Sequence, residues 1–154
     1  MNIFILDYNI KQSAQYHCDK HVVKMCIEYA QLLSSAHHHY LGEAPYRLTH
    51  KNHPCAIWTR QSLSNYEYLL ELALELGDEY TYRYGKVHKS IQIVESLPPL
   101  KFIDIGLTPF PKAIANPEIK AIPDVVEAYR EYYRKEKVGF ATWKKRPVPE
   151  WMIK

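Results

Sequence analysis

The stretch HCDKHVVKMCIE places His17, His21, Lys24 and Glu28 three or four residues apart. At roughly 100° per residue these four, with Gln31, share one helical band. Ala14, Cys18, Val22, Met25, Tyr29, Leu32 and Ala36 form an apolar stripe about a quarter turn away. The reactive band therefore borders the core, where desolvation and charged neighbours shift pKa values. A lysine one turn from a histidine and from a glutamate is the arrangement of an amine nucleophile with a base beside it. The plain alternative is a Lys24–Glu28 ion pair on a structural helix.

A second reactive set lies in THKNHPC, where His50, Lys51, His53 and Cys55 crowd the start of another helix, with Asn52 as its expected N-cap. Free N–H groups there attract anions, and Lys51 and Arg60 are placed to hold phosphate. Trp58 offers a ring for a displaced base. In EYTYRYGKVHK, Tyr82, Arg83 and Lys86 interleave rings and cations, a pattern suited to bases and phosphates. The tail WKKRPVPEW has the same mixed character. His17, His21, His50, His53 and Cys55 form an alternative tetrahedral metal set. HxxxH without HExxH or CxxC is weak support for it, so neither a metal nor another cofactor is expected.

The elements that must position these residues are mainly helical. No Gly or Pro interrupts residues 12–40, which predicts one long helix ended by Gly42. A second long helix is expected from about Asn52 to Leu76, with Gly77 as an interruption. A shorter helix is expected over 87–96, and a last one, capped by Asp124, over 125–137. Residues 97–123 hold most of the ten prolines and read as an irregular crossing packed by Leu100, Phe102, Ile103, Ile105 and Phe110. The opening NIFIL is a short strand or an extended segment. The expected fold is mainly α: a compact single-domain bundle, residues 1–154, of two long and two or three shorter helices with a Pro-rich crossing.

Composition limits the function classes. A chain of 154 residues that is 47% hydrophobic is long and apolar enough to bury a core. The net charge of +3 permits an anionic partner without demanding one. Three cysteines without CxxC, and a start that does not read as a signal peptide, predict a reducing cytoplasm. No apolar run reaches the length of a membrane span.

The motifs CDKHVVKM, HKNHPCAIW, EYTYRYGK and RPVPEW resemble those of a family of small bacteriophage proteins, over nearly the whole chain. That resemblance implies a host-cell cytoplasmic setting and little about activity. The order of parts is also similar to the pyrimidine-dimer DNA glycosylases: a short start, a first helix bearing His17, and a loop with His53 leading into a second helix. That resemblance implies N-glycosidic bond cleavage in DNA. Members of that family attack the sugar with the α-amino group of a threonine exposed by methionine removal. Here residue 2 is Asn, and the family's first-helix glutamate pairs with the region of Lys24, one turn before Glu28. The amine would then come from Lys24 or Lys51, or Glu28 would activate a water.

The expectation is therefore an enzyme acting on DNA or a nucleotide, through a site formed by His17, His21, Lys24, Glu28, His50 and His53. Lys51, Asn52, Trp58, Arg60, Tyr82, Arg83 and Lys86 would bind the substrate. A metal-dependent nuclease or hydrolase, and a non-enzymatic protein that binds a nucleotide or blocks a host factor, are the two alternatives.

Overall fold

Residues 3–6 lie outside any helix and are deeply buried: Ile3, Phe4, Ile5 and Leu6 expose 4% or less of their surface. Buried extended chain without a ladder must find other partners for its polar backbone groups. Side chains supply them. The Phe4 N–H donates to the Tyr29 hydroxyl, the Leu6 N–H donates to Ser13 Oγ, and Ser13 Oγ donates back to the Phe4 carbonyl. Arg130 Nε donates to the Leu6 carbonyl. The opening run is thus a central rod, around which the helices pack. Of the two sequence-based options for NIFIL, the extended segment is correct.

The computed structural model describes residues 1–153. Among them are seven α-helices and no strand. These are α1 (Ile10–Tyr16), α2 (Asp19–Leu41), α3 (Pro54–Gln61), α4 (Leu63–Tyr84), α5 (Lys89–Ser96), α6 (Pro117–Lys120) and α7 (Val125–Tyr132). A π-turn, Tyr133–Lys137, continues α7, and a 3-10 turn, Glu150–Ile153, closes the described chain. The class is all-α, built on the long pair α2 and α4, which pack extensively on each other. None of these helices is long and apolar enough to cross a membrane.

Two of the expected long helices are each broken in two. The first breaks at His17–Cys18, both in extended backbone, so α1 and α2 do not share one wheel. No Gly or Pro marks the break. Its cause is Arg83 on α4, fully buried, which donates to the carbonyls of Gln15 and His17 and to the Asp19 carboxylate. The guanidinium takes up carbonyls that a continuing helix would have bonded itself. Glu79 pairs with the same guanidinium at 2.7 Å and also with Arg146. The second break is at Ser62, whose hydroxyl donates to Asp104 and to the Gly106 carbonyl. Asp104 also accepts from the backbone N–H and hydroxyl of Ser64 at the start of α4. Those donors hold its carboxyl down to about 2.

Gly77 does not interrupt α4. A Cβ there would meet Ile91 at 2.6 Å, so the glycine lets α5 lie directly on α4. Gly42 ends α2 in the left-handed conformation, as expected. The 97–123 crossing is packed through Leu100, Phe102 and Phe110, whereas Ile103 and Ile105 are 67% and 60% exposed. The N-cap of α3 is His53, not Asn52.

Candidate active site

Burial of residues 2–6 carries the chain start to the flank of α2. There the α-amino group of Met1 lies 3.2 Å from Glu28 Oε1, and Lys24 Nζ lies 3.6 Å from Glu28 Oε2. The Glu28 side chain is 12% exposed, that of Lys24 67%. One carboxylate thus bridges a sheltered α-amine and an open ammonium. Glu28 sits on this boundary because Met25 and Tyr29, its neighbours on α2, face the core while Lys24 faces out.

The loop before α3 carries the second reactive set. His53 caps α3 by accepting the Cys55 N–H on Nδ1 at 3.0 Å. The charges of the Met1 amine and Glu28 both act on the His53 imidazole and the Cys55 thiol. Burial, then the amine and His50, push the His53 imidazole below its ordinary 6.5, against the pull of Glu28. Burial pushes the Cys55 thiol up to about 12, so it is no nucleophile. His50 stands in left-handed backbone at φ 52°; its carbonyl accepts the His53 N–H, and its Nδ1 bonds to Thr49 Oγ1. Lys51 and Asn52 are exposed, and the Arg60 guanidinium donates to the Lys51 carbonyl at 2.6 Å, bracing the loop. A recess of about 340 Å³, lined by Gln31, Tyr46, Arg47, Leu48 and Thr49, opens one turn beyond Glu28.

The expected row on the first helix divides. Lys24 and Glu28 meet at the core's edge, but His17 and His21 are interior residues. The Tyr29 hydroxyl, which accepts the Phe4 N–H, donates to His17 Nε2, and His17 Nδ1 donates to the Ser13 carbonyl at 2.7 Å. Both ring nitrogens are therefore spent on holding the central rod. Burial pushes His17 down to about 4. His21 stacks on Phe4 at 4.3 Å and bonds to the Tyr133 hydroxyl through Nδ1; burial pushes it down to about 3. The wheel misplaced His17 because it assumed one continuous helix; His21 does share α2 with Lys24 and Glu28, but Phe4 and Tyr133 cover it.

Other expected binding residues also serve the fold. Trp58 is 3% exposed, donates to the Thr108 carbonyl and packs on Phe110 and Tyr68. Arg83 is the buried clamp on the helix break. Tyr82 is exposed, but Arg146 covers its ring at 4.2 Å. Lys86 is exposed beyond the end of α4. That end meets α2 at Asp19, nine residues before Glu28, or about 13 Å along the helix. Arg83 is therefore buried at that junction, while Tyr82 and Lys86 are exposed around the end of α4. The alternative metal set is not assembled: among the described residues, no three His, Cys, Asp or Glu side chains come together as ligands.

The group missed from sequence is the Met1 α-amine. Its signal was the opening NIFIL: a run that apolar must be buried, and it carries the terminus inward with it. A groove of about 670 Å³ between α4 and residues 97–102 is lined by aliphatic and aromatic side chains with Glu67, Glu95 and Lys101. Its lining includes one amine, Lys101, and neither an imidazole nor a thiol. No protein-family profile matches the chain, and no curated protein or solved structure matches it significantly.

Proposed function

We propose that this protein cleaves N-glycosidic bonds in DNA or a nucleotide, with the α-amine of residue 1 as nucleophile and Glu28 as its acid–base partner. The contact of 3.2 Å between that amine and the sheltered Glu28 carboxylate carries the reading. α-Amines as a class lose their proton roughly 2–3 pH units below lysine side chains, which makes them the better nucleophiles near neutrality. Lys24, two-thirds exposed, is better suited to a phosphate. The amine attacks C1′ of the sugar and the base departs with the bonding electrons. Glu28 takes the proton that the new C–N bond displaces, and an imine forms as the sugar ring opens. Lys24 and Lys51 hold phosphates on either side.

This differs from the route by which the pyrimidine-dimer glycosylases expose their amine. Asn2 is 7% exposed and bonded to the Ala113 carbonyl, the Ile3 N–H and the Tyr129 hydroxyl, so it is a fixed part of the core. Residue 1 carries the amine instead. The reading requires a free amine on Met1 in the working protein, which the mass of the N-terminal peptide tests. One residue added before Met1 moves the amine by about 3.5 Å. On a duplex with one abasic site, that extension and Glu28→Gln should each slow single-turnover imine formation, read as borohydride-trapped adduct, by at least about 10²-fold. Adduct formation at the wild-type rate by both variants would sink the proposal. Unchanged binding with no turnover in the wild type would favour the non-enzymatic alternative.

A further inference from the structure

One face of α2 carries cations and an exposed ring that the amine site leaves unused. Lys20, Lys24 and Glu28 follow at four-residue steps on an uninterrupted helix, so they share a face. Phe140 stands at the start of that face, 38% exposed. Lys20 Nζ lies 4.6 Å from its ring centre and Lys137 Nζ 5.8 Å from it. The ring meets the His21 imidazole edge to face at 5.9 Å, and His21 stacks on Phe4, three residues from Met1. The segment is firmly held. The Phe140 and Ala141 N–H groups both donate to the carbonyl of Lys137, the last residue of the π-turn. Two residues beyond Phe140, the Thr142 carbonyl accepts the Asp19 N–H and the Thr142 hydroxyl donates to the Asp19 carboxylate. Lys137 Nζ also lies 4.9 Å from the Tyr132 ring centre. A large apolar ring exposed on so fastened a turn, between two ammonium groups, has the make-up of a surface that stacks bases and holds phosphates.

We infer that Phe140 is a stacking platform for an unpaired base of a DNA strand, with Lys20 and Lys137 on the flanking phosphates. The inference rests on the DNA-directed reading above and names the strand form the protein takes, but it does not depend on the amine chemistry. A lysine over an exposed ring is held weakly, because water solvates the ammonium. A base stacks on the ring more strongly and brings its own phosphates, so Lys20 leaves the ring for a phosphate oxygen as the base arrives. A protein surface apolar enough to cover Phe140 would bury these ammonium groups without a counter-charge. A DNA strand supplies one at every step. Lys20 lies eight residues before Glu28, about 12 Å along α2. At 3.4 Å per nucleotide of a duplex strand, that is roughly three to four steps. The platform therefore holds the strand a few nucleotides from the sugar under attack, and it favours substrates whose duplex is open there.

The test is binding of a fluorescein-labelled single-stranded oligothymidylate, followed by anisotropy at several salt concentrations, alongside thermal melting. Phe140→Leu keeps apolar bulk beside His21 but has no π-face. It is expected to melt close to the wild type and to bind at least about fivefold more weakly. Phe140→Trp is expected to bind within about threefold of the wild type, and unlabelled strand should quench its added indole emission. Lys20→Ala and Lys137→Ala should each lower the log–log salt slope by about 0.7. Phe140→Leu binding as tightly as the wild type overturns the platform, and so does a Phe140→Trp protein whose added emission the strand leaves unchanged. A wild-type chain with no affinity for the strand overturns it as well. If Phe140→Leu melts markedly lower, quenching in Phe140→Trp decides alone. Binding and quenching without a borohydride-trapped adduct on an abasic duplex remove the glycosidic reading and leave the platform. A trapped adduct together with unaltered Phe140→Leu binding removes the platform alone.

Discussion

Residues of one chemical type play opposed roles here according to what surrounds them. His17 and His21 are neutral struts inside the protein, whereas His53 is half-buried and caps α3. The buried pair makes stability depend on pH. Each ring is lowered from 6.5, to about 4 and about 3. Between those values and 6.5 the unfolded chain binds protons that the folded chain refuses, so stability rises with pH there and falls on acidification. Each refused proton contributes about 1.4 kcal/mol per pH unit. Urea titrations from pH 7 to pH 4 should therefore show a steep loss. His21→Phe, which keeps the stack on Phe4, should flatten that loss by about one proton's slope. An equal slope in the two proteins would show that His21 is not refusing a proton. Lys24, Glu28, His50, Lys51 and His53 were legible in the sequence as a reactive set because their types and spacing are local facts. The partner of Glu28 was not, because the depth of Met1 depends on how residues 3–6 pack beneath two helices.

At the scale of elements, the two breaks and the glycine contact decide the geometry. Helix-forming residues made most of the helical segments readable. The break at His17–Cys18 was not, because its cause is Arg83, more than sixty residues downstream. Arg83→Met should lower the unfolding free energy by about 3–5 kcal/mol, since it leaves Glu79 and Asp19 and two carbonyls short of a buried donor. Chemical denaturation checks this, and a loss under 1 kcal/mol would mean that the break forms without the clamp. Gly77 was read as an interruption because glycine weakens helices in general. Its actual role, to admit Ile91, is a tertiary contact that no local pattern encodes. Gly77→Ala should cost about 1–3 kcal/mol through overpacking, and Gly77→Ala with Ile91→Val should recover part of it. No recovery in the double variant would place the strain elsewhere.

Across the whole molecule, charge is sorted by face. The outer side of α4 carries Glu67, Glu71, Glu75 and Asp78, while the outer side of α2 carries Lys20 and Lys24, with Lys51 on the loop beyond. A polyanion should therefore approach along α2. The affinity for a duplex oligonucleotide should fall with salt, and Lys24→Ala and Lys51→Ala should each reduce the log–log slope by about 0.9. A slope unchanged by both would move the binding face elsewhere. The all-α class was legible from composition and helix signals, but this sorting appears only once α2 and α4 are paired. The amine of residue 1, held against Glu28, is the proposed reacting group. Borohydride trapping on a duplex with one abasic site, followed by mass mapping of the adduct, tests it most directly. The expected result is a covalent adduct on the α-nitrogen of the N-terminal peptide, strongly reduced in Glu28→Gln. An adduct on Lys24 or Lys51, or no adduct, would contradict it.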